Sequence, residues 1–145
     1  MNANDQIIIN VYFKNSPIFS DLNEFDRIQL EKKSNINIFE PGDTIIEQGD
    51  DSTTVYFLIS GTVHVLDYSR SHRAITYASL NDGEMFGEMA AIDGFPRSAW
   101  VCAISTCKVI SLPGNTFIKI LKNNADISLK ILAKLSSRLR LSDEK

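Results

Sequence analysis

The chain has 145 residues, of which 43% are hydrophobic and 23% charged, an ordinary balance for a soluble globular protein and one that indicates neither disorder nor a fibrous repeat. Its net charge of −3 and pI near 5.3 argue against a broad basic surface for nucleic acid, but not against a small anionic ligand, which needs only one or two placed cations. No apolar run approaches the roughly 20 residues of a membrane helix, and the start, MNANDQIIINVYF, lacks the basic region of a secretion signal. A cytoplasmic protein without membrane contact is expected, folded as one domain over residues 1–145.

The first segment, 1–34, is expected to be helical. Residues 21–33 open with Asp21 as N-cap and Glu24 three positions later, a capping box, and set Leu22, Phe25, Ile28 and Leu30 at helical spacing. Ser16-Pro17-Ile18-Phe19 reads as a connector whose apolar pair packs on the core. From Asn35 the period falls to two, and short runs rich in β-branched and aromatic residues recur up to residue 112: Thr44 to Glu47, Val55 to Ser60, Thr62 to Tyr68, Arg73 to Leu80, Ala99 to Ser105 and Lys108 to Leu112. Strands this short and evenly spaced predict an antiparallel barrel or sandwich, with the glycines at 42, 49, 61 and 83 at its turns. Cys102 and Cys107 read as small buried residues rather than a disulfide.

Residues 113–145 return to a helical pattern, with Asn115 capping a helix from Thr116 to Lys122 and Asp126 capping a longer one to about Leu141. Apolar residues of that last helix cover more than one stripe, so it should meet a second partner, another subunit or the exposed face of a ligand. The cations Lys122, Lys130, Lys134, Arg138, Arg140 and Lys145 read as a solvated helix face.

The segment 83–100, GEMFGEMAAIDGFPRSAW, breaks the strand pattern. Gly87 to Ile92 reads as one or two helical turns entered through a glycine, and Gly94 and Pro96 shape the loop that returns to a strand at Arg97-Ser98. The first N–H groups of a helix wedged among strands lack partners, and with a glycine beside them they suit an anion. Arg97 adds a planar guanidinium for phosphate oxygens, and Ser98 a hydroxyl. Glu88 would repel a phosphate unless it accepts from a neutral sugar hydroxyl while Arg97 balances its charge. A phosphate joined to a ribose with a free 2′-hydroxyl satisfies both.

Three ordered stretches carry a family resemblance: Phe39-Glu40-Pro41-Gly42-Asp43-Thr44-Ile45-Ile46-Glu47-Gln48-Gly49-Asp50, Tyr56-Phe57-Leu58-Ile59-Ser60-Gly61-Thr62-Val63, and Phe86-Gly87-Glu88-Met89-Ala90 with Pro96-Arg97-Ser98-Ala99. From about residue 15 to 140 the chain resembles the cyclic-nucleotide-binding domains of bacterial cAMP receptor (catabolite activator) proteins, protein kinase A regulatory subunits and cyclic-nucleotide-gated channels. The resemblance implies a mainly β fold with flanking helices: an antiparallel jelly-roll-like β-barrel, N-terminal helices, a short phosphate-binding-cassette helix and a C-terminal helix pair. It also implies Glu88 on the ribose 2′-hydroxyl, Arg97 on the cyclic phosphate, and further contacts from Gly87, Met89, Ala90, Ser98 and Ala99. Ser142 and Asp143 align with purine contacts on a C-terminal helix that pairs two subunits. The bacterial receptors continue into a helix-turn-helix domain, whereas this sequence stops at Lys145, so no direct DNA binding by this chain is expected.

The expectation is thus a regulatory module that binds cAMP ahead of cGMP, needs no cofactor, and signals to an effector the sequence does not name. Two other readings stand beside it: a nucleotide-independent interaction or scaffold domain, and the sensory half of a longer transcription factor. No nucleophile lies near a base, so no catalysis is expected. His64 and His72 sit in different elements without ligand spacing, so no metal site is expected either. Met85, Met89, Tyr56, Phe57, Phe86 and Trp100 read as packing, and Asp43, Glu47 and Asp50 as turn and edge charges.

Overall fold

The computed structural model describes residues 2–68 and 74–143. His72 and Arg73, the latter expected to open a strand, lie outside the described residues. Two helices come first, α1 (Ala3–Lys14) and α2 (Glu24–Lys33). The Asn2 side chain accepts from the Asp5 N–H at 2.8 Å to cap α1. The cap of α2 is Asn23, which accepts from the Asp26 N–H at 2.8 Å and donates to the Asp26 carboxylate at 3.1 Å. Asp21, expected in that role, pairs instead with Lys130 across the surface at 3.5 Å.

Among the described residues eight strands follow: β1 (Asn35–Phe39), β2 (Thr44–Ile46), β3 (Val55–Ser60), β4 (Val63–Tyr68), β5 (Ala74–Leu80), β6 (Met85–Phe86), β7 (Trp100–Ala103) and β8 (Cys107–Leu112). The helix α3 (Glu88–Asp93) lies between β6 and β7, and α4 (Gly114–Asn123) and α5 (Ala125–Asp143) end the chain. The strands form two antiparallel four-stranded sheets, ordered β1-β8-β3-β6 and β2-β7-β4-β5. This is the expected mainly β roll with flanking helices.

Alternation along β3 and β8 explains why the roll needs those helices. Leu58, Cys107 and Val109 point between the sheets, where they meet Ile46, Val63, Leu80, Phe86, Val101 and Ala103. Their neighbours Val55, Phe57, Ile110 and Leu112 point outward and would be wet without cover. Ile9 and Phe13 of α1, Leu30 of α2, Phe117 and Ile120 of α4, and Ile127 and Ile131 of α5 supply it. Phe13, Phe19 and Phe57 meet edge to face at centroid distances of 5.0 to 5.5 Å.

The C-terminal helices start where packing dictates rather than at the expected caps. Pro113 stands at the N-cap of α4, and Gly114 follows it because a Cβ there would lie 2.5 Å from the Thr53 carbonyl. Asn124 closes α4 and donates to the buried Asp26 carboxylate at 2.7 Å and the Ile120 carbonyl at 2.8 Å, tying the α4–α5 corner to α2. Asp126 is thereby in the first turn of α5, where its charge still favours the helix. Both cysteines are free thiols, Cys107 buried and Cys102 half-buried. Among the described residues, no helix is long and apolar enough to cross a membrane.

Candidate functional site

A cavity of about 190 Å³ opens between α3, the loop after it, the inner face of the β2-β7-β4-β5 sheet and α5. Its wall includes Gly87, Glu88, Met89, Ala90, Arg97, Ser98 and Ala99, so the structure gathers all the cassette residues singled out from sequence. Apolar strand residues, Ile46, Val65, Leu80 and Val101, form its floor. Gly87 turns the chain from β6 into α3 with φ +82°. A Cβ there would stand 2.9 Å from the Thr54 carbonyl and 3.0 Å from Nη1 of Arg97, so both conformation and space require glycine.

Arg97 is 5% exposed, although its neighbours in the loop are open to solvent. Its backbone is stitched to the β2–β3 loop: the Arg97 N–H donates to the Asp50 carbonyl and the Gly49 N–H to the Arg97 carbonyl, each at 2.8 Å. The guanidinium donates through Nη1 to the Gly87 carbonyl (2.8 Å), through Nη2 to the Thr54 carbonyl (2.8 Å) and through Nε to the Ser52 hydroxyl (3.2 Å). A guanidinium carries five N–H groups, so one remains on each terminal nitrogen beside the cavity. Burial lowers its pKa from the ordinary arginine value, opposed by Tyr56, Asp50 and Glu88.

Glu88 is the second buried charge, 3% exposed at the first position of α3. Burial raises its pKa above the ordinary glutamate range, against the lowering effects of its backbone hydrogen bond and of Arg138, Lys134 and Arg97. The expected charge balance from Arg97 is corrected here. Its ion-pair partner is Arg138 of α5, whose Nη1 lies 3.1 Å from Oε1 of Glu88, while Nη2 donates to the Met85 carbonyl at 3.2 Å. Arg97 acts on Glu88 only at longer range.

Arg138 also lines the cavity, which corrects its assignment to a solvated helix face. The signal for it was helical spacing: Ile127, Ile131 and Leu135 mark the inward stripe of α5, and Arg138 continues it. A cation on an otherwise apolar inward stripe needs an anion opposite it. Lys130, assigned to the same solvated face, reaches the Pro17 carbonyl at 3.3 Å as well as Asp21.

The remaining cassette residues divide by exposure. Ala90 is buried, Ala99 is half-buried, and Met89 and Ser98 are exposed at the cavity edge. Phe95, not singled out from sequence, lines the same edge with 70% of its surface free. Met85 is core, and Tyr56 stacks on Phe86 at 5.2 Å. Trp100 pairs with Leu66 in the ladder and stays out of the cavity wall. Ser142 and Asp143 close α5, with side chains outside the described residues. Among the described residues no group of three His, Cys, Asp or Glu side chains is arranged to hold a metal.

Residues 36–124 match the family model of the cyclic nucleotide-binding domain. The chain is 32% identical over 103 residues to the cAMP-activated global transcriptional regulator CRP of Escherichia coli, an alignment covering 70% of this chain and 49% of that protein. It is 32% identical over 110 residues to the cAMP-dependent protein kinase regulatory subunit of Yarrowia lipolytica, covering 76% of this chain and 28% of that protein. The crystal structure of Thermus thermophilus catabolite activator protein superposes with a TM-score of 0.75 at 26% identity, over 88% of this chain and 60% of that one. The chain thus spans about half the length, or less, of the curated relatives it matches, a transcriptional regulator and a kinase regulatory subunit. With the family model matched over more than half its length, the chain belongs to the cyclic nucleotide-binding domain family.

Proposed function

We propose that the cavity holds a cyclic nucleotide, cAMP ahead of cGMP, and that the chain acts as one regulatory module over residues 1–145 in the cytoplasm. The cyclic phosphate takes the remaining N–H groups of Arg97, and the ribose 2′-hydroxyl donates to Glu88. Gly87, Met89, Ala90, Ser98 and Ala99 close around the sugar and phosphate, and Ser142 and Asp143 reach the purine from the end of α5. The observation that carries this reading is the pair of opposite charges, Arg97 and Glu88, both buried in one cavity. A carboxylate and a guanidinium that are not each other's partner leave one place for an anion and another for a neutral hydroxyl donor.

The Glu88–Arg138 contact supplies a means of signalling. At about 190 Å³ the cavity is smaller than the 300–1,000 Å³ usual for ligand clefts. A ligand that engages Glu88 therefore shifts Arg138, and α5 with it, to the arrangement it binds better. On its outer side α5 presents Leu129, Leu132 and Leu139, exposed by about 60%, at a spacing that makes one seam. That seam fits a second copy of the chain in a homodimer, which passes the movement to an effector. Light scattering with and without cAMP checks the pairing, and a monomer in both states overturns it.

Calorimetric titration of cAMP and cGMP tests the central reading. Arg97→Ala is expected to lose on the order of 100-fold or more in affinity, because a buried phosphate is left without its nearest cation. Arg97→Lys, which keeps the charge without the fork, should fall between the two. Binding by Arg97→Ala as tight as by the unaltered chain overturns the site.

A further inference from the structure

The loop 47–54, which joins β2 to β3, touches Arg97 at four points: the Gly49 N–H, the Asp50 carbonyl, the Ser52 hydroxyl and the Thr54 carbonyl. Three of these are backbone groups that any residue would supply. The fourth is a side chain, and it is exposed and absent from the cavity wall. A serine hydroxyl on a surface loop normally spends its hydrogen bonds on water. This one accepts from Nε of a 5% exposed arginine at 3.2 Å.

The geometry gives that contact a distinct task. Carbonyls hold Nη1 and Nη2 from Gly87 and Thr54, which fixes the far edge of the guanidinium but leaves its plane free to tilt about the line joining them. Nε lies off that line, so a partner there sets the plane. We infer that Ser52 is a positioning residue for Arg97, orienting the guanidinium from the side remote from the cavity without touching the ligand.

Asp50 reinforces the arrangement. The Ser52 hydroxyl is the largest cause holding the Asp50 carboxyl below the ordinary aspartate pKa, and the Arg97 guanidinium adds a smaller lowering effect.

This inference rests on the phosphate reading of Arg97 for its effect on ligand, but not for its geometry, and the experiment separates the two. In the unliganded protein, NMR should show the Arg97 Nε–H exchanging slowly with water, faster in Ser52→Ala, and slowly again in Ser52→Thr, which restores a hydroxyl. In calorimetry with cAMP, Ser52→Ala should bind roughly 3- to 10-fold more weakly, the share of one charge-assisted hydrogen bond. It should also change the preference between the two phosphorothioate diastereomers of cAMP, since a tilted guanidinium favours the two exocyclic oxygens differently. In an Arg97→Ala background the same substitution should cost nothing further. Unchanged Nε–H exchange in Ser52→Ala overturns the inference, as does an equal loss of affinity with and without Arg97. Faster exchange without cAMP binding by any form upholds the positioning and overturns the choice of ligand instead.

Discussion

On one wall of the cavity Arg97 is held by two backbone carbonyls and a loop hydroxyl, all belonging to the roll and the entry to α3. On the other wall Glu88 is held across the cavity by Arg138, a side chain of α5 that is 35% exposed. The two buried charges thus differ in what moves if they are disturbed. The partners of Arg97 are fixed by strand pairing at the start of β3 and by the turn at Gly87. The partner of Glu88 rides on α5, which packs on the roll through Ile127 and Ile131 and meets α2 at the Asn124 corner, and its own side chain is 35% exposed. On the proposed reading, Arg97 is an anchor that stays and the Glu88–Arg138 pair a contact that can be exchanged.

The comparison breaks most readily at Arg97. Arg97→Ala leaves the Gly87 and Thr54 carbonyls without their donor and opens space in a buried site, so the unliganded protein should lose about 3 kcal/mol. Equilibrium urea unfolding measures it. A loss no greater than that of a surface substitution, within about 0.5 kcal/mol, would mean that Arg97 does not anchor this wall. Arg138→Met should cost less, about 1 kcal/mol in the same assay. The pair is partly solvent-screened, and methionine retains the apolar stem that packs along α5. If Arg138→Met proved as damaging as Arg97→Ala, α5 would be as much a fixed wall as the roll, and the distinction would fail.

The same asymmetry governed what could be read from the sequence. The roll was legible because most of its strands carry their own apolar run between turn residues, and the cassette because its residues lie close together in the chain; the two-residue β6, inside segment 83–100, was not read as a strand. Within the helical segment 1–34 the bounds and buried face of α1 were not legible, because Ile7, Ile8, Ile9 and Val11 read as a plain apolar run. Only the fold decides that Ile9 and Phe13 are buried while Ile7 and Val11 stay exposed. The α2 cap slipped from Asp21 to Asn23 because both residue types cap well, and Asn23 also reaches the Asp26 carboxylate. Arg138 was misassigned because its partner is distant in the chain. Its partner is at the start of α3, and nothing local to α5 distinguishes an arginine facing water from one facing a buried carboxylate.

The smallest effect sharpens the comparison most, because it reads the state of Glu88 directly. The folded-state pKa of Glu88 lies above its unfolded value, since burial outweighs the help of Arg138, Lys134 and Arg97. For a group shifted this way the native state binds the proton more tightly. Its contribution to stability is therefore full below the unfolded pKa and is lost as pH rises through the folded one. Glu88→Gln keeps the shape and removes the titration, so relative to the unaltered chain the variant should gain stability as pH climbs from the ordinary glutamate range towards neutrality. Arg138→Met should steepen the slope in the unaltered carboxylate, because the nearest cation opposing burial is gone. Thermal unfolding across that pH range tests both. A Glu88→Gln difference that is flat, or that slopes the other way, would mean that the carboxylate is charged at little cost and that Arg138 holds it as firmly as the carbonyls hold Arg97.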